Sequence, residues 1–267
     1  MIRSVPVLSI AAMAVNAVAV TLIPIIAFIY INKKTKCRQS CVLVGAGTFV
    51  VFALILETIL HQIVFHFFGE KLNESILLYA LYGGLAAGLF EETGRLISMK
   101  LFMKKALTKE NSLMFGIGHG GAEAIIVGTM TAFSNIALSV MINANQIDKL
   151  LSSVDSSQKQ AVTQQLSALG ATASGEFLLA GVERLCAFVL QLCLSYIVYR
   201  AVRNKKPLFY ILAVTIHFAV DAALVVLAKN ISAFAVEIIL VLAVTCIAFI
   251  TFKSYKSEKQ KTKETEQ

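Results

Sequence analysis

Three short stretches carry side chains able to do chemistry in an otherwise apolar chain. Leu89-Phe90-Glu91-Glu92-Thr93-Gly94-Arg95, His119-Gly120-Gly121-Ala122-Glu123 and His217-Phe218-Ala219-Val220-Asp221 each hold a titratable pair spaced by four: Glu91 with Arg95, His119 with Glu123, His217 with Asp221. Residues four apart share a helix face, so each stretch can aim its pair at a common interior. The chemistry this suits is hydrolysis. A carboxyl group in a low-dielectric cavity can take a proton from water near neutral pH, and two adjacent carboxyls divide into one base and one neutral partner. Imidazoles can donate to the oxyanion formed when water attacks an amide. Arg95 would hold a carboxylate in place, and Asp221 would fix the tautomer of His217.

The elements that must position these groups are membrane helices. Of 267 residues, 57% are hydrophobic and only 15% charged, too few to coat a water-facing surface when soluble domains carry about a quarter. Apolar runs of roughly 20 residues or more recur, each long enough for a ~30 Å hydrocarbon core, and none alternates as a membrane barrel strand would. A soluble enzyme, a secreted disulfide scaffold and a disordered chain are excluded. The class expected is an all-α, polytopic membrane helical bundle in the cell membrane.

Seven spans are predicted, over 5–31, 41–68, 75–103, 112–142, 175–199, 208–228 and 231–252. Residues 1–252 then form a single integral membrane domain, and 253–267 a basic, polar, disordered tail. The basic residues fall in every second loop: Lys33, Lys34, Lys36 and Arg38; Lys104, Lys105 and Lys109; Arg200, Arg203, Lys205 and Lys206. That places those loops and the C-terminus in the cytoplasm and the N-terminus outside. The net charge of +8 is therefore an orientation signal, not a nucleic-acid stripe. Residues 143–174 are polar and read either as a solvated connection or as an amphipathic interfacial helix using Val154, Val162, Leu166 and Leu169. Cys186, Cys193 and Cys246 read as small hydrophobes; Cys37 and Cys41 flank a basic loop.

Charges at bilayer depth are costly and retained for function, so depth is the useful test. At ~1.5 Å per residue, Glu91 lies roughly 13–18 Å, His119 roughly 10–13 Å and His217 about 15 Å from the cytoplasmic ends of their spans. The three layers coincide. Glu57 and His61, also spaced by four, fall roughly 25–30 Å from that boundary, the wrong layer, and read as an interfacial pair. Glu176, Glu183 and Arg184 are open: Glu183 and Arg184 could neutralise each other, or Glu183 could stand behind the main groups in the cavity. Gly116-Ile117-Gly118-His119-Gly120-Gly121 matches a nucleotide-binding glycine pattern, but inside an apolar span it serves close helix approach or local unwinding. Gly84 and Gly88 likewise read as packing positions.

Glu91-Glu92-x-x-Arg95, His119 followed four later by Glu123, and His217-x-x-x-Asp221, in that order on separate spans, resemble the YhfC family of intramembrane proteases. More distantly they resemble PrsW and the CAAX-prenyl and bacteriocin-processing proteases. The resemblance covers the spans that carry the motifs and nearly the whole chain in length. It implies that Glu91 activates water and that His119 and His217 are essential. The CAAX-type enzymes have a longer Glu-Glu-to-Arg spacing and Asn where this chain has Asp221, and ionised Asp cannot donate to an oxyanion. The mechanism implied is a glutamate one without cofactor; zinc held by His119, His217 and Glu91 is the alternative, since two His and a carboxylate leave an open fourth position. The expected substrate is a membrane protein or lipidated peptide in the lipid bilayer, with no nucleic acid. A proton-coupled transporter using the same Glu/His/Asp groups is the rival reading. A non-catalytic membrane scaffold is the third.

Overall fold

In a computed structural model every regular element is a helix among the described residues, 2–35 and 37–265, with side chains described to Glu258. Lys36 of the first basic loop and the end of the tail lie outside them. Apolar sequence in lipid has no water to satisfy its backbone, so each run satisfies itself as helix. The order is α1 (Val7–Lys34), α2 (Ser40–Phe49), a π-helical stretch (Val50–Glu57), α3 (Thr58–Glu74), α4 (Ile76–Leu101), α5 (Lys109–Glu123), a second π-helical stretch (Ala124–Thr129) and α6 (Met130–Asn143). Then come α7 (Ile147–Ser152), α8 (Lys159–Ala171), α9 (Ser174–Arg203), α10 (Leu208–Asn230) and α11 (Ala233–Thr265).

Among the described residues six helices are long and apolar enough to cross a membrane: α1, the continuous Ser40–Glu74, the continuous Lys109–Asn143, α9, α10 and Ala233–Glu258 of α11. The chain is a multi-pass membrane protein. The remaining predicted span is α4, whose 26 residues include Glu91, Glu92, Arg95 and Lys100. Those charges dilute its apolar character, which is why it stands apart from the six. Its start is set by Ser75, in extended backbone, whose Oγ accepts from the Leu78 N–H. Side chains facing outward are apolar, with Leu43 75% and Phe249 68% exposed, as a hydrocarbon solvent requires.

The chain divides into two compact units whose segments alternate in sequence. The first comprises Met1–Ile23 and Ala124–Leu185; the second, Pro24–Glu123 and Cys186–Gln267. The division falls inside α1, at the second π-helical stretch and inside α9, so continuous helices serve both units.

In the first unit, α8 turns its apolar face inward. Leu166 and Leu169 join Val5, Met13 and Ile142 in a buried core, with Val162 packed against it. The polar connection of 143–174 therefore carries an amphipathic helix whose apolar face is satisfied by protein rather than by lipid. Asn143 holds the start of the chain, accepting from the Val5 N–H at 2.8 Å and donating to the Val5 carbonyl at 2.9 Å.

In the second unit two close crossings set the frame. A Cβ on Gly45 of α2 would overlap the Phe115 carbonyl, and one on Gly118 of α5 the Val42 carbonyl, so these helices touch backbone to backbone. On α4 and α10, a Cβ on Gly84 would lie 2.8 Å from the Phe218 carbonyl. The tail departs from expectation. From 253 the chain continues α11 as helix, because Glu258 accepts hydrogen bonds from the Tyr196 and Tyr199 hydroxyls, both 2.8 Å, and Ser254 from Arg200 at 2.6 Å.

Candidate functional site

The α4–α10 and α2–α5 crossings deliver the predicted groups of the second unit to one buried place. Glu91 and Glu92 are neighbours on α4 and diverge by about 100° around its axis. Arg95, one turn further and fully buried, reaches both: its NH2 lies 3.2 Å from Glu91 Oε2 and its Nε 3.3 Å from Glu92 Oε2. Each carboxylate also meets an imidazole from another helix. His119 Nε2 stands 2.8 Å from Glu91 Oε2, and His217 Nδ1 2.8 Å from Glu92 Oε1. The result is a chain of five groups, His119–Glu91–Arg95–Glu92–His217, with the cation at its centre.

His119 is fully buried, with Phe49 edge-on at 5.4 Å and Phe115 stacked at 6.2 Å. Its Nδ1 has no hydrogen-bond partner among the described residues, so the ring proton belongs on Nε2, where Glu91 accepts it. His217 Nε2 lies 3.5 Å from Asp221 Oδ2, the pairing four residues apart predicts. Glu123 meets Gln191, whose Nε2 donates to Glu123 Oε2 at 2.6 Å. Glu183 pairs with the adjacent Arg184, and both belong to the first unit.

Two participants escaped sequence reasoning. Gln191 and Ser195 sit one turn apart on α9. Arg95 NH1 donates to the Gln191 carbonyl at 3.1 Å and to Ser195 Oγ at 3.0 Å, and Arg95 NH2 donates to Gln191 Oε1. Their signal was a polar pair spaced by four inside an apolar run, overlooked because neither is charged. Glu57, read as an interfacial residue paired with His61, is only 8% exposed and stands at the end of the first π-helical stretch. His61 Nε2 lies 3.2 Å from Glu57 Oε1, while His61 Nδ1 meets the Tyr82 hydroxyl at 2.8 Å. Glu237 of α11, 8% exposed, is a further buried acid not anticipated.

A zinc ion needs three or four donors converging at ~2.0–2.3 Å on one point. Among the described residues no three His, Cys, Asp or Glu side chains form such a group. His119 turns its proton-bearing nitrogen to Glu91, His217 turns Nδ1 to a different carboxylate, and the Arg95 cation lies between those carboxylates. The residues as arranged do not fit a metal.

Residues 19–242 match the family model described as "YhfC intramembrane metalloprotease". The chain is also 36% identical over 235 residues to "Uncharacterized membrane protein YhfC" of Bacillus subtilis (strain 168), covering 86% of this chain and 90% of that protein. No solved structure matches it. A match across most of the chain, together with the cluster assembled from α4, α5 and α10, makes this chain a member of the YhfC family of membrane proteins.

Proposed function

We propose that this protein is an intramembrane endopeptidase of the glutamate type, hydrolysing a peptide bond of a membrane protein or lipidated peptide. One observation carries the reading: His119 Nε2, Arg95 NH2 and Gln191 Nε2 all donate to Oε2 of Glu91 at 2.8, 3.2 and 3.1 Å, while no donor among the described residues reaches Oε1. A carboxylate anchored by one oxygen presents the other to a water molecule.

Glu91 takes a proton from that water as its oxygen bonds to the amide carbon. The carbonyl electron pair moves onto oxygen, and as Glu91 takes the proton its hold on the His119 Nε2–H weakens, so that N–H turns toward the new charge. When the carbon–nitrogen bond breaks, Glu91 returns its proton to the leaving nitrogen, so the residue ends as it began. Glu92 and Asp221 orient His217, and Arg95 keeps the two adjacent carboxylates together. No step calls for a metal. In the membrane, α4 adds a seventh span to the six apolar ones, with the N-terminus outside and the C-terminus cytoplasmic, which sets the cluster nearer the cytoplasmic face.

The experiment is a comparison of membrane-fraction proteomes from cells carrying the wild type or Glu91→Gln. The wild type should shorten at least one membrane-associated polypeptide. Glu91→Gln should insert normally and cut slower by about 10²–10⁴-fold, the range for loss of a general base. Wild-type cleavage rates in Glu91→Gln would sink the assignment. Proton-driven solute flux in proteoliposomes, abolished by the same change, would favour transport instead.

A further inference from the structure

We infer that Gln191 is a positioning residue that selects which oxygen of Glu91 faces the water, an inference that rests on the glutamate reading of the site. Both donors of its carboxamide are committed, and its oxygen accepts as well. Nε2 carries two protons and donates one to Glu91 Oε2 at 3.1 Å and the other to Glu123 Oε2 at 2.6 Å. Oε1 accepts from Arg95 NH2, and the backbone carbonyl accepts from Arg95 NH1 at 3.1 Å. Of the ordinary side chains only a carboxamide has two donors and an acceptor on one neutral plane. A lysine there would add charge, and a carboxylate would face two others with nothing to donate.

The placement is built by three helices. Gln191 is 3% exposed on α9, and α5 makes room for it with Gly120, where a Cβ would lie 2.8 Å from the Gln191 Cβ. Ser195, one turn along, accepts from the same Arg95 and fixes the guanidinium plane against α9. Glu91 is therefore gripped from α4 by Arg95, from α5 by His119 and from α9 by Gln191, all on one oxygen. Removing the α9 grip frees the carboxylate to rotate and lets either oxygen take the remaining donors.

The test reads Glu91 directly. In protein labelled with ¹³C-carboxyl glutamate and held in lipid, the Glu91 signal is assigned by its loss in Glu91→Gln. Gln191→Met, similar in length and without donors, should move that signal, and should lower kcat by about a hundredfold with KM unchanged, as a small misplacement of a reacting group does. An unmoved Glu91 signal in folded Gln191→Met would overturn the inference whatever happens to activity. If that variant does not fold, Gln191→Glu is isosteric and is read the same way, its added signal removed by comparison with Glu91→Gln/Gln191→Glu. A signal moved by Gln191→Met, where the wild type itself cleaves nothing, would instead leave the grip standing and remove the protease reading.

Discussion

The two units spend polar side chains differently, although the first also holds polar pairs, Ser9 Oγ with Ser174 Oγ at 2.8 Å and Glu183 with Arg184. In the first, Asn143 serves backbone, pairing with both the N–H and the carbonyl of Val5, and the packing around it is Val5, Met13, Ile142, Leu166 and Leu169. In the second, buried polar groups chiefly serve one another: carboxylates, imidazoles, a guanidinium and an amide from α4, α5, α9 and α10. The first arrangement is how helices are tied together cheaply. The second takes charges out of water, which costs several kcal/mol per ion before pairing offsets it. A fold that needed only to hold its helices together could use the first pattern throughout, as the apolar core of the first unit demonstrates. The second pattern needs another reason, and chemistry is the one that its geometry suits.

That contrast can be broken or sharpened. After the loss expected of Glu91→Gln, the largest effect belongs to Arg95→Met, which leaves Glu91 and Glu92 buried and adjacent without their shared cation. Thermal unfolding in detergent should show about 3–5 kcal/mol of destabilisation, the range for removing one partner of a buried pair. An unchanged midpoint would mean that the cluster is wetter and looser than its burial implies. Leu166→Ala in the first unit comes next, at about 2–3 kcal/mol by the same measurement, because it removes methyl groups from a core that the short α8 can partly close. Cleavage per folded molecule should stay at the wild-type level. A fall in kcat there would show that the apolar unit takes part in the reaction. Smallest is the effect of a zinc chelator on purified protein: activity should hold within about twofold, since the side chains present do not converge on a metal. Loss on chelation, restored by added zinc, would require His119 and His217 to leave their carboxylates.

Much of the site was legible because helical periodicity is local. Spacing by four put Glu91 with Arg95 and His217 with Asp221, and both pairs are present. The depth count along each helix brought His119 and His217 to the level of Glu91, and the structure joins His119 to Glu91 and His217 to Glu92. What stayed hidden depends on contacts between helices. Glu123 meets Gln191 of another helix, and Gln191 carries no charge to draw notice.

Composition and the absence of strand-like alternation together established a multi-pass helical membrane protein, because only helices and closed barrels satisfy their backbone in lipid. The residue order added three charged faces at one depth. Only the tertiary structure decided which acid meets which imidazole. That choice rests on where bare glycines let backbones touch, Gly45 against Phe115 and Gly118 against Val42, and close approach between distant segments is a property of surfaces that no local pattern records.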